Sequence, residues 1–176
     1  VMRRALGEAL PAQCHDFNKG TLYKRFTPAG DDHAQVAACA GMADYVDTLY
    51  AALDGPQAKA AGRAAAVHDA MRTREIELLA PLLDFLASKN SLRVIGPRDA
   101  SKRAPTVGIL SDRPGEDIAN DLATHNINAG GGDFYSPRPL KAMGIDPAHG
   151  LLRVSFTHYT SDAELDRLIS ALDHVL

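Results

Sequence analysis

From His33 to Leu53 apolar positions recur at steps of three and four, with Val36, Cys39, Ala40, Ala43 and Val46 along one side. That spacing predicts an α-helix, and its many alanines predict close packing against another element. A turn cluster, Phe26-Thr27-Pro28-Ala29-Gly30-Asp31-Asp32, precedes the helix, and Asp54-Gly55-Pro56 follows it as the clearest punctuation in the first half of the chain. From Leu6 to Lys24 the periodicity is weaker and reads as a short helix and a loop.

Beyond Pro56 a second helical stripe runs through Val67, Met71, Ile76, Leu79, Leu83 and Leu86. Pro81 interrupts it and predicts a kink or a new turn, because proline brings no backbone donor. The period then changes. Leu92-Arg93-Val94-Ile95, closed by Gly96-Pro97, and Thr106-Val107-Gly108-Ile109-Leu110 read as short strands. Pro114 opens a short helix carrying Ile118 and Leu122; Ser136-Pro137 has the chemistry of a helix start, and Gly144 that of its stop. Leu152, Val154 and Phe156 alternate with Leu151, Arg153 and Ser155, the pattern of a strand covered on one face. Ser161 and Glu164 stand at capping-box spacing before a last helix striped by Leu165, Leu168, Ile169, Leu172 and Leu176. The order predicts a helical N-terminal third followed by a compact α+β module, a small sheet with helices on one face.

Composition narrows the function classes. The chain has 176 residues, 45% apolar and 23% charged, and a formal net charge of −3. That is an ordinary globular balance and excludes a basic nucleic-acid footprint on bulk charge. Cys14 and Cys39 form no metal spacing and suggest a reducing, cytoplasmic compartment with buried thiols. No apolar run reaches the ~20 residues of a membrane span, and no signal-peptide core follows the two arginines near the start. Val1 stands where an initiator methionine would, so the chain is expected to be a piece of something longer.

Three places could carry chemistry. Arg153 interrupts an apolar strand on the face opposite Leu152 and Val154. A guanidinium there matches a carboxylate bidentately, or it is an edge arginine bonded to a nearby Asp or Glu. Asn128-Ala129-Gly130-Gly131-Gly132-Asp133-Phe134-Tyr135 lets backbone approach a ligand closely ahead of a helix start, or is a mobile loop. Around Gly30, Asp31, Asp32 and His33, a helix start could bind phosphate, although the two aspartates serve better as caps. The seven histidines include no HxxxH pair, so no metal site is expected, and there is no GxSxG elbow.

Leu152-Arg153-Val154-Ser155-Phe156-Thr157-His158-Tyr159-Thr160 with Glu164-Leu165-Asp166-Arg167-Leu168 resembles the closing strand and helix of class V aminotransferases, the family that includes the cysteine desulfurases. Leu92–Pro97 followed by Arg103-Ala104-Pro105-Thr106-Val107 is similar to the first two strands of that family's small domain. Gly132-Asp133-Phe134-Tyr135, Leu140 and Gly144-Ile145 resemble the loop and helix before its last strand. Phe26–Gly30 and the Ala-rich helix through Asp44-Tyr45-Val46 resemble the end of the large domain. The resemblance spans the chain from about residue 22 onward.

The resemblance implies an aspartate-aminotransferase-like fold, with residues 1–56 as the tail of the large, cofactor-binding domain and residues 57–176 as the small α+β domain. It implies a homodimeric pyridoxal-phosphate enzyme that acts on an amino acid through an external aldimine. Arg153 then binds the substrate α-carboxylate, and the Gly30 backbone approaches the cofactor phosphate of a partner subunit. The chain departs from the family in three respects. Lys19 and Lys24 lie too close to Gly30 to be the Schiff-base lysine, which is expected upstream of Val1, so this chain alone is expected to be inactive. Ala29-Gly30 stands where the family has Gly-Thr, and Phe134-Tyr135 stands where desulfurases carry a nucleophilic cysteine. The alternative, from another class, is a non-catalytic α+β binding or interaction module.

Overall fold

The computed structural model describes residues 2–26, 32–53 and 55–176. The turn at 27–31, which holds Gly30, lies outside the described residues. The chain divides into two compact units, Val1–Val67 and His68–Leu176.

In the first unit, α1 (Arg4–Ala9) is followed by two short 3-10 turns at Asp16–Asn18 and Leu22–Lys24. The Arg25 guanidinium ties these pieces together by donating to the carbonyls of Glu8 at 3.3 Å and Leu10 at 2.8 Å. Helix α2 (His33–Ala52) matches the predicted span, and Asp32 caps it by accepting from the amides of Ala34 and Gln35 at 3.0 and 3.1 Å. Among the described residues nothing buries α2: none of its residues is buried, with Val36 63% and Met42 67% exposed. The buried-thiol expectation fails for a related reason. Cys39 lies on the uncovered stripe and is exposed, and Cys14 is half-buried.

Helix α3 (Ala60–Ala87) begins in the first unit and continues into the second, running through Pro81 rather than restarting there. The energetics explain this. A proline inside a helix costs about 3 kcal/mol. Leu78, Leu79, Leu82, Leu83 and Leu86 are buried on both sides of it, and each buried leucine contributes about 1.5–3 kcal/mol.

The second unit is built on a four-stranded antiparallel sheet in the order β1-β2-β4-β3. The strands are β1 (Arg93–Ile95), β2 (Thr106–Leu110), β3 (Gly130–Gly132) and β4 (Leu151–Ser155). Helices α4 (Gly115–Thr124), α5 (Pro137–Ala142) and α6 (Asp162–Val175) connect or follow them. Val107 and Ile109 of β2 join Leu152 and Val154 of β4 in the main core with α3, Ile118 and Leu122 of α4, and Leu165 and Leu172 of α6. Ser161 and Glu164 form the expected capping box at the start of α6. A second, smaller cluster gathers Leu140, Ile145 and Leu151 with Ile95, Leu110, Phe134 and Met143. Leu151 has the parity of Arg153, not of Leu152. The face opposite the main core is therefore partly covered, at the end where α5 packs.

The Gly-rich segment is neither a mobile loop nor a helix-start cradle; its three glycines form edge strand β3. Gly132, Gly131 and Gly130 pair with Leu151, Leu152 and Arg153 of β4. Glycine is required at the contact with α4. A Cβ on Gly131 would lie 2.3 Å from Glu116 Cα, and one on Gly115 would lie 2.1 Å from the Leu151 carbonyl carbon. At α5, Ser136 holds the N-cap position without a side-chain capping bond; its hydroxyl donates to the Phe134 carbonyl instead, at 3.2 Å.

Candidate functional site

Arg153 is the middle residue of β4, and β4 is an interior strand between β2 and β3. This overturns the edge-arginine reading. Strand alternation turns Leu152 and Val154 into the core and leaves Arg153 exposed on the opposite face. Its register neighbours on both sides are glycines, Gly108 on β2 and Gly130 on β3. No side chain therefore flanks the guanidinium across either strand. Below it lies the ring of Phe134, with the guanidinium carbon 4.1 Å from the ring centroid.

Among the described residues Arg153 makes no hydrogen bond or ion pair. Arg98, Arg138 and Arg167 of the second unit likewise make none among the described residues, so it is the ring contact and not the lack of a partner that sets Arg153 apart, while other arginines are engaged. Arg74 pairs with Asp162 at 2.9 Å and Arg113 with Asp121 at 2.6 Å. Arg103 donates to the carbonyls of Pro97 and Thr106 at 2.7 and 2.8 Å. Arg153 thus presents a planar fork of unused donors, preset by its ring platform, and that geometry suits a carboxylate.

The loop that supplies the ring is held in an unusual backbone. Phe134 and Tyr135 are consecutive non-glycine residues at positive φ, 52° and 56°. Such residues cost energy unless surrounding bonds fix them, and they cluster at functional sites. Here the Asp133 carboxylate accepts from the Tyr135 amide at 3.0 Å, and its carbonyl accepts from the Ser136 amide at 2.9 Å. Tyr135 itself is fully exposed. Phe134 as the partner of Arg153 was not legible from spacing, since 19 positions separate them and β3 was read as a loop.

The other sequence candidates lie in the first unit. Gly30 and Asp31 lie outside the described residues, Asp32 is a helix cap, and His33 is an exposed first residue of α2. Among the described residues no group of three or more His, Cys, Asp or Glu side chains could hold a metal ion. No helix there is long and apolar enough to cross a membrane.

No family model matches the chain. Among curated proteins it is 30% identical over 112 residues to an aminotransferase-like protein of Gibberella zeae, covering 61% of this chain and 28% of that protein. It is 35% identical over 117 residues to a cysteine desulfurase-like protein of Aspergillus flavus, covering 61% of this chain and 26% of that one. The family resemblance is borne out. The fold agrees. A cysteine desulfurase from Thermococcus onnurineus superposes with a TM-score of 0.54 at 24% identity, covering 65% of this chain and 30% of its own. The desulfurase CsdA of Escherichia coli gives 0.52 at 22% identity, covering 69% and 31%. The chain therefore has a mixed α/β fold shared with part of the cysteine desulfurases, and it spans less than a third of the length of these relatives.

That fold family uses pyridoxal phosphate, and neither Lys19 nor Lys24 fits the Schiff-base lysine that the group requires. A Schiff-base lysine must give up its proton to react. The Asp16 carboxylate, by hydrogen bond and charge, instead holds the Lys19 ammonium above its ordinary range. Lys24 lies on an exposed turn with its Nζ 5.7 Å from the Tyr23 ring centroid. Neither stands near Arg153 in sequence.

Proposed function

We propose that the chain is the C-terminal portion of a class V aminotransferase-like, pyridoxal-phosphate-dependent enzyme acting on an amino acid, and that Arg153 holds the substrate α-carboxylate. The observation that carries this reading is the unpaired guanidinium of Arg153, exposed on the open sheet face between two glycines and seated on Phe134. The relatives' names and the shared fold support the enzyme class. Residues 1–56 are proposed as the tail of a large domain and residues 57–176 as the small domain.

In this reading the Schiff-base lysine belongs to a part of the protein outside this chain, and the chain by itself is inactive. The Gly30 backbone approaches the cofactor phosphate of a second subunit in a homodimer. The chain's own contribution is binding and orientation: Arg153 fixes the carboxylate end of the amino acid, so the rest of the substrate is presented at a set distance. With Phe134-Tyr135 in the loop before α5, the chain brings no sulfur nucleophile at that place. The reaction is therefore proposed as transamination or bond cleavage at an amino acid rather than persulfide formation on this loop. A reducing, cytoplasmic compartment is proposed from the two free thiols.

The test uses the full-length protein. A charge-assisted hydrogen-bonded pair contributes about 1.5–3 kcal/mol, so Arg153→Ala is expected to raise the amino-acid Kd roughly 10- to 100-fold. Cofactor affinity should stay within about twofold, within the scatter expected for a residue that does not touch the group. Unchanged amino-acid affinity would refute the assignment.

A further inference from the structure

The same open face holds a second functional side chain. We propose that Phe134 is a positioning residue that sets the guanidinium plane of Arg153 for carboxylate capture, an inference that rests on the carboxylate reading above. Phe134 has two contacts of different kinds. One side of it packs into the small apolar cluster of Leu140, Ile145 and Leu151, which fixes the ring. The other carries Arg153 at 4.1 Å, within the range of a cation–π contact. An exposed arginine with no ion pair would otherwise sample many rotamers, and ordering it on binding would weaken the complex.

Two further features accommodate the ring in that place. A Cβ on Gly130 would stand 2.9 Å from Phe134 Cε1, so the strand neighbour of Arg153 must lack a side chain. The positive φ of Phe134 and Tyr135 folds the chain back under β4, and the Asp133 bonds hold it in that form.

The experiment is an NMR titration of the full-length protein with L-alanine as probe, reading the Arg153 side-chain resonances assigned by their loss in Arg153→Lys. In the parent protein these resonances are expected to be shifted upfield by the ring current of Phe134, 4.1 Å from the guanidinium carbon. Phe134→Leu keeps the apolar packing and is expected to abolish that shift and to weaken alanine binding about two- to fivefold, the equivalent of one exposed cation–π contact. Phe134→Tyr should restore both. Gly130→Ala, which displaces the ring, should behave like Phe134→Leu. Equal alanine affinity in the parent and Phe134→Leu, or an Arg153 signal without upfield shift in the parent, overturns the positioning role alone. Arg153 resonances that alanine leaves unmoved in the parent overturn the carboxylate reading, and the positioning role falls with it.

Discussion

On one face of the four-stranded sheet, Val107, Ile109, Leu152 and Val154 lie at 0–3% exposure against three helices. On the other, Leu151 is buried under α5, while Gly108, Gly130 and Arg153 leave an opening. The two faces alternate residue by residue along one strand, so Leu152 and Arg153 are neighbours in sequence with opposite tasks. The first face holds the unit together; the second spends almost no apolar area near Arg153 and keeps an arginine unpaired. Stability and the proposed carboxylate binding are thereby separable by single substitutions one residue apart.

The sharpest way to break this comparison is to truncate both neighbours. Leu152→Ala, at a fully buried position, is expected to cost about 2–5 kcal/mol in chemical denaturation, whereas Arg153→Ala should stay within about 0.5 kcal/mol. Comparable losses would mean that the open face is part of the core. Next in size is Gly115→Ala, whose Cβ would meet β4 backbone at 2.1 Å; the overpacking is expected to cost about 1–3 kcal/mol, read from the same curves. Ser161→Ala, which removes the cap of α6, should cost about 1 kcal/mol.

Acidification supplies a finer probe of that cap. The amide and hydroxyl of Ser161 donate to Glu164 and hold its carboxyl below the ordinary range. A carboxyl whose pKa is lowered by folding adds stability above its unfolded pKa and loses it as pH falls through the folded one. The denaturation midpoint of the parent chain should therefore drop more between pH 7 and pH 3 than that of Glu164→Gln. Parallel pH profiles would show that the capping box contributes nothing through charge.

How much of this could be read beforehand differs by element, for physical reasons. Strand β2 and the capping box of α6 were legible because alternation and cap chemistry are local signals. The orientation of Arg153 was legible too, from the period of two. Strand β3 was hidden because three glycines carry no side-chain pattern, and only the tight packing on α4 explains them. Pro81 does not end α3, because the local rule is outweighed by five buried leucines. The stripe of α2 predicted a helix correctly, yet whether a stripe is covered depends on what lies against it, which periodicity does not encode. At the site, Arg153 was nameable from its strand, but Phe134 was not. The contact between them is made by a loop in a left-handed backbone that no spacing rule anticipates.

The central claim, that the open face of β4 binds a carboxylate through Arg153, is tested most directly by titrating L-alanine into the full-length protein and its Arg153→Ala variant. The readout is the backbone amide signals of the flanking strand residues Gly108 and Gly130. The account predicts saturable shifts of both amides in the parent protein and their loss in the variant, with the remaining spectrum unchanged. Shifts of equal size in the two proteins, or none in the parent, would contradict it.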